Sequence, residues 1–216
     1  MSNLDKQLCA LCGVNEATTR DHIPPKCIFA KPRPQLITIP ACEDCNKGTS
    51  NTDEQFMMFL SLKVGTDNEG AAALWEKQAV RTFKHNRRLQ HKIMSSVRQL
   101  PVKTKAGIYL GETLAVPWND GSHDLTIEKM VRGLYYYHFD DILGDRINCK
   151  VQYLSAYDEK LAAMSHDWEL NEIGDGFLAY KYGRCEEYPL ASFWIFQFYN
   201  GHWASGYTMP PELQQA

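Results

Sequence analysis

The sequence lacks long apolar runs and a secretory leader. No run of about 18 apolar residues occurs among its 216 residues, which argues against a membrane-spanning helix. Its N-terminus, MSNLDKQLCALCG, does not have the basic and then apolar layout of a signal peptide. We therefore expect a cytoplasmic protein, in which the seven cysteines are thiols or metal ligands and not a disulfide framework.

The chain also has little net charge, which by itself argues against a generic nucleic-acid binder. The formal net charge is −3, but it is unevenly distributed along the sequence. Residues 63–106 carry a net charge of +7, whereas residues 1–62 carry −1 and residues 107–216 carry −9. The positive charge is thus concentrated in one segment between two acidic ones.

Local patterns in the first half predict two helices after a segment rich in cysteine, proline and glycine. The first helix is predicted to begin at Thr52, where TDEQ has the form of a capping box, and to run to about Val64. The second, longer helix is predicted from about Glu69 to Arg98, with Pro101 limiting it.

The second half predicts an α+β fold with a mainly antiparallel sheet. Residues 106–118 alternate like a strand or hairpin, and residues 124–143 have the apolar spacing of a helix. A strand (INCKVQYLSAY) and a short helix (DEKLAAMSHDWEL) are predicted next. Three final segments are predicted to be strands that form a meander: GFLAYKYGRC, ASFWIFQFYN and HWASGYTMP.

Two Cys-x2-Cys pairs are the strongest chemical signal in the chain. They are Cys9 with Cys12 and Cys42 with Cys45, and Gly13 after the first pair suits a tight turn. Four thiolates in two such pairs are enough for a closed tetrahedral zinc site. We expect this zinc ion to be structural, because a short cysteine-rich segment buries little core by itself.

An Asp-His pair lies between the two cysteine pairs, in TTRDHIPP (18–25), and Asn46 follows the last cysteine directly. In this order the sequence resembles the HNH endonucleases in their zinc-containing treble-clef form, over roughly residues 8–62. The matching residues are Cys9, Cys12, Asp21, His22, Pro24 or Pro25, Cys42, Cys45 and Asn46.

The resemblance implies a metal-dependent endonuclease that hydrolyses phosphodiester bonds in DNA. His22 would be the general base, and Asp21 and Asn46 would hold a catalytic Mg²⁺ or Mn²⁺ ion through oxygen. An alternative role for Asn46 is the N-cap of the following turn, and Asn51 is a weaker candidate for the ligand.

The implied domain organisation has three parts. The first is a zinc-bound treble-clef ββα-metal (HNH) module, the second is a basic helical connector, and the third is an α+β domain whose role the sequence does not define. Their predicted ranges are 1–64, 65–105 and 106–216.

One departure from the family pattern favours other functions. Many HNH sequences have a middle Asn before the second cysteine pair, and PRPQLITIPAC contains none. The alternative is a catalytically inactive, zinc-stabilised module with a nucleic-acid-binding or regulatory role. A third hypothesis is a zinc-scaffolded adaptor between proteins.

Basic side chains supply candidate contacts to DNA phosphates. Four of them recur at intervals of three or four residues, so they are predicted to share one helix face. An alternative is that this face is solvated or pairs with the acidic C-terminal part. A homodimer is possible, because cutting both strands would be easier for two sites, and no membrane partner is expected. The candidate contacts are Arg20, Lys47, Arg81, Lys84, Arg88 and Lys92.

Overall fold

The N-terminal part of the chain is a two-stranded hairpin followed by helices. The computed structural model describes residues 7–64, 69–117 and 120–213. Strands β1 and β2 are antiparallel, and Asp21 is opposite Ile39 in their register. The first elements are β1 (Thr19–Ile23), β2 (Ile37–Ala41), α1 (Glu43–Gly48) and α2 (Ser50–Val64).

Helix α2 begins at Ser50, before the predicted start at Thr52. The carbonyl of Thr49 accepts hydrogen bonds from the Asp53 amide (2.9 Å) and the Thr52 hydroxyl (2.7 Å). Thr52 therefore lies inside the first turn and does not cap it. The capping-box prediction was wrong because α1 ends at Gly48, immediately before α2.

The basic connector is helical, but it is not one helix. Helices α4 and α5 are separated at Asn86, whose backbone has φ −87° and ψ 86°. The Asn86 side-chain oxygen accepts the Leu89 amide proton at 3.0 Å, which caps α5. The segments are α3 (Glu69–Leu74), a π-helical turn (Trp75–Ala79), α4 (Val80–His85) and α5 (Arg87–Ser96).

An exposed hairpin follows the connector. It consists of β3 (Arg98–Lys103) and β4 (Tyr109–Ala115), which pair antiparallel. Pro101 lies within β3, where it faces Glu112 across the hairpin. A strand is confirmed within the predicted range of 106–118, over Tyr109–Ala115, and residue 118 lies outside the described residues. Arg98 belongs to a strand and not to the end of a helix.

Helix α6 (Asp120–Phe139) begins and ends about four residues before the predicted range of 124–143. It ends because Asp140 adopts a positive φ of 50°, which a continuing helix does not allow.

The C-terminal part has a five-stranded antiparallel sheet in the order β5-β9-β8-β7-β6. The three predicted final strands are confirmed as the meander β7-β8-β9. The molecule is therefore α+β, as the sequence predicts. The elements are β5 (Asn148–Leu154), α7 (Glu159–Met164), β6 (Asn171–Ile173), β7 (Leu178–Arg184), β8 (Ser192–Phe198) and β9 (His202–Met209).

Helix α6 lies between this sheet and the N-terminal hairpin. Val131 packs on Gly206 of β9, whereas Gly133 packs on Ile23 and Ile39 of the hairpin. One buried hydrophobic cluster includes side chains from all three predicted parts of the chain. The division into parts at 64 and 105 stays a prediction, although the parts share this core.

No helix within the described ranges 7–64, 69–117 and 120–213 combines the length and the apolar character needed to cross a bilayer.

We predict that Gly133→Ala destabilises the protein by about 1–3 kcal/mol, because buried overpacking forces neighbours to move. A Cβ atom at Gly133 would lie 2.4 Å from Cγ1 of Ile23, which is fully buried. Urea unfolding measures the change. Gly48→Ala is the matched control, because a Cβ at Gly48 in α1 would meet nothing within 4 Å. Equal stabilities of the two variants would contradict close packing of α6 on the hairpin.

Candidate functional site

The first cysteine pair lies in a tight loop before β1. The Gly13 amide donates to the Cys9 carbonyl at 2.8 Å, and Gly13 has a φ of 68°. This left-handed conformation favours glycine, as the sequence predicts. The loop also contacts the segment after α6, because the Asp145 amide donates to the Cys12 carbonyl at 3.1 Å.

The second cysteine pair lies at the start of α1. Cys42 is the N-cap of this helix, and its sulfur accepts the Cys45 amide proton at 3.5 Å. The Asn15 side chain also donates to this sulfur, at 3.8 Å. The cap of α1 is therefore a thiol, and Asn46 lies inside the helix and not at its cap.

The four sulfur atoms meet in one cluster. Those of Cys9, Cys12, Cys42 and Cys45 all lie within 4.8 Å of one another, and three of the residues are buried. Four thiolates at about 2.3 Å from a zinc ion require sulfur separations of this order. The cluster can therefore hold a structural metal such as zinc. The part of the chain that the structure describes has no second such group of His, Cys, Asp or Glu ligand atoms.

Proton affinities within the cluster differ between its thiols. Burial raises the pKa of Cys9 above its ordinary value. Burial acts in the same direction on Cys42, but donors from Cys45 and Asn15 outweigh it and lower its pKa to about 7. These donors favour the thiolate form of Cys42, which is the form that binds a metal.

Asp21 and His22 are neighbours on β1, so their side chains point to opposite faces of the hairpin. Asp21 is buried, and its Oδ1 accepts the backbone amide proton of His22 at 2.7 Å. Its Oδ2 lies 2.9 Å from Nζ of Lys129 on α6, an ion pair whose angles fall short of hydrogen-bond geometry. The acid of the predicted pair therefore faces the C-terminal part of the molecule.

Lys129 has two further partners, both on the N-terminal side. Its Nζ lies 2.9 Å from Oδ2 of Asp53 and 2.8 Å from Oγ1 of Thr49. Burial acts to lower the pKa of Lys129, but the charges of Asp53 and Asp21 raise it above its ordinary value. The Lys129 side chain is therefore a protonated, positively charged ammonium group. Sequence reasoning missed Lys129 and Asp53, because nothing in the sequence pairs residues this far apart.

His22 is half-buried on the other face of β1. Burial lowers its pKa, the positive charges of Lys26 and Arg33 lower it further, and Asp21 opposes them. The imidazole is therefore neutral near pH 7 and can accept a proton. The positive charges that act on His22 would favour a phosphate-bearing ligand there.

Asn46 ties α1 to β1. Its Nδ2 donates to Oγ1 of Thr19 at 3.0 Å and to the backbone carbonyl of Arg20 at 3.2 Å. The structure thus brings Asn46 to the residue directly before Asp21, as a brace between the second cysteine pair and the hairpin. Asn51, the weaker candidate, is exposed in the first turn of α2.

Asp21 and Asn46 do not form an open site for Mg²⁺ or Mn²⁺ in this arrangement. Asp21 is 6% exposed and already faces an ammonium group, whereas Mg²⁺ in proteins usually keeps several water ligands. The Nδ2 group of Asn46 donates to β1, and its side-chain oxygen is the atom that could bind an ion. The burial of Asp21 and its ion pair with Lys129 therefore do not fit the catalytic ion that the sequence predicts there.

The candidate phosphate contacts are exposed but do not share one helix face. Arg81 and Lys84 are on α4, and Arg88 and Lys92 are on α5, beyond the break at Asn86. The prediction that these four side chains share one helix face was therefore wrong, because it assumed an unbroken helix.

Two further basic candidates, Arg20 and Lys47, have partners within the N-terminal part of the chain. The Arg20 guanidinium donates to the Thr38 carbonyl at 2.7 Å, across the hairpin. Lys47 pairs with Glu43 on α1. Contact of either residue with nucleic acid stays a prediction.

Comparison with models of known protein families, with curated proteins and with solved structures finds no match to this chain. The resemblance to HNH endonucleases therefore depends on the residues themselves and on their arrangement.

We predict that Cys42→Ser lowers the bound zinc below one ion per chain and lowers the Tm, because a structural metal contributes directly to folding. Elemental analysis of the purified protein and a thermal melt measure the two effects. Cys185→Ser is the matched control, since Cys185 is exposed and outside the cluster. Full zinc content in Cys42→Ser would contradict the four-sulfur site.

Proposed function

We propose that this chain is an HNH-type endonuclease that hydrolyses phosphodiester bonds in DNA, with His22 as the general base. The single observation that carries the proposal is the environment of His22. The half-buried imidazole has a pKa lowered by burial and by the positive charges of Lys26 and Arg33. Such a group can take a proton from water beside a bound phosphate.

The order of elements supports the same proposal. A loop with one cysteine pair, a hairpin, and a helix that starts at the second pair is the layout of a treble clef. Zinc at the four thiolates would hold α1 against the hairpin. His22 would then be presented on a strand whose position the metal and Asn46 both stabilise.

In the proposed reaction, His22 removes a proton from the attacking water as the water oxygen bonds to phosphorus. The bond from phosphorus to the leaving oxygen then breaks, and water can protonate that oxygen. Lys26 and Arg33 would offset the negative charge that develops on the phosphate oxygens. The proposed steps use no Mg²⁺ or Mn²⁺, because Asp21 is buried against Lys129 and does not fit such an ion here.

The second candidate function is a catalytically inactive, zinc-stabilised module that binds nucleic acid. The burial of Asp21 against Lys129 favours it, because HNH-type catalysis would use this carboxylate for a metal ion. DNA as the partner and a homodimer as the assembly are predictions under either function.

We predict that His22→Ala lowers cleavage of supercoiled plasmid or single-stranded DNA by about 100-fold or more, the usual contribution of a general base. The zinc content should not change, since His22 is not among the four thiolates. Gel assays with and without Mg²⁺ or Mn²⁺ measure this loss. His166→Ala is the control, because His166 is exposed and pairs with its neighbour Asp167.

If the wild type cuts no DNA but binds it in a salt-dependent way, the inactive module is the correct function. Equal cleavage by wild type and His22→Ala would reject His22 as the base.

We predict that cleavage persists below pH 6.5, the ordinary pKa of histidine, and falls only at more acidic pH. The lowered pKa keeps the imidazole neutral, and thus able to accept a proton, to a lower pH. Lys26→Gln removes a positive charge, so the acid limb of the pH–rate profile should move to higher pH. Lys31→Gln, a nearby exposed lysine, should leave it in place. An identical shift in both variants would contradict the role of Lys26.

A further inference from the structure

The side chain of Lys129 is at the centre of a buried polar cluster, which we call the Lys129 cluster. It contains Asp21 of β1, Thr49 between α1 and α2, Asp53 of α2, and Lys129 of α6. Three oxygens surround the ammonium group: two carboxylate oxygens at 2.9 Å and the Thr49 hydroxyl at 2.8 Å. The contacts with Asp53 and Thr49 are hydrogen bonds, and the contact with Asp21 is an ion pair.

The three charged side chains of the cluster are buried. The side chains of Lys129, Asp21 and Asp53 are 4%, 8% and 9% exposed. The second oxygen of each carboxylate is also engaged: Asp21 Oδ1 accepts the His22 amide, and Asp53 Oδ1 accepts the Thr126 hydroxyl at 3.3 Å. A hydrated divalent ion at Asp21 would have to displace this buried ammonium group.

Charge compensation at Asp21 depends on Lys129. Oδ2 of Asp21 is buried and has no hydrogen-bond donor with suitable angles, so the ammonium charge is what stabilises it. A buried carboxylate without a cation is strongly unfavourable. Lys129 lies one helical turn before Gly133, where α6 packs on the hairpin, and this packing places the cation beside Asp21.

We propose that the ammonium group of Lys129, and not a divalent metal ion, is the resident cation of Asp21. Asp21 is therefore unavailable as a ligand for Mg²⁺ or Mn²⁺, and any chemistry at His22 proceeds without an ion at this carboxylate. The inference concerns the cation at Asp21 and does not depend on whether the chain cuts DNA.

The first test is a Mn²⁺ titration of the full-length, zinc-loaded protein, followed by the electron paramagnetic resonance signal of unbound Mn²⁺. Asp21→Asn is compared with wild type at protein concentrations of about 1 mM. We expect identical titrations, because Asp21 contributes no metal site. A Mn²⁺ ion that binds wild type and is lost in Asp21→Asn would overturn the proposal, whether or not either protein is active.

The second test is a double-mutant cycle in stability between Asp21→Asn and Lys129→Met. We expect Lys129→Met to lower the Tm, and Asp21→Asn to be less harmful, or favourable, once Lys129 is absent. Lys150→Met, which replaces an exposed lysine on β5, is the matched control.

The proposed Asp21–Lys129 ion pair would be rejected by two results together. The Tm shifts of the two single variants would be additive, and Lys129→Met would lower the Tm no more than Lys150→Met does. If Lys129→Met does not fold, the Mn²⁺ comparison decides alone, because in Asp21→Asn the lysine keeps Asp53 and Thr49 as partners.

Discussion

The close approach of α6 to the N-terminal hairpin determines both the packing and the polar chemistry of this molecule. Gly133 packs on Ile23, and Lys129, one helical turn earlier, meets Asp21, which is two residues before Ile23. Positions four apart on a helix and two apart on a strand each lie on one face. The missing side chain at Gly133 therefore allows the approach that also brings an ammonium group to a buried carboxylate.

The metal cluster belongs to the same assembly. Its second cysteine pair starts α1, and Asn46 in that helix holds β1 through Thr19 and the Arg20 carbonyl. Its first pair contacts the segment after α6 through the Cys12 carbonyl. Loss of the metal would therefore disturb the hairpin, α1 and the C-terminal part together, since each contacts a ligand-bearing segment.

The side chains of Asp21 and His22 lie on opposite faces of the hairpin, so they have different environments and different chemical roles. The carboxylate is buried among residues of α2 and α6, where it compensates the charge of Lys129. The imidazole is half-buried on the opposite face, where nearby cations and burial keep it neutral. A short motif in the sequence thus contributes one group to the interior and one to a candidate reaction surface.

Local patterns were enough to predict the α+β class, the C-terminal meander and the four cysteines, because strand alternation and Cys-x2-Cys spacing act over a few residues. They were insufficient where a side chain caps a new helix, as at Asn86, or where two helices abut, as at Thr49. The sequence by itself therefore determined the four cysteines of the cluster that can hold a metal and the strands of the C-terminal meander. Only the tertiary structure decided the partner of Asp21, because Lys129 reaches it through the packing of α6 across the hairpin, and no local spacing encodes that contact.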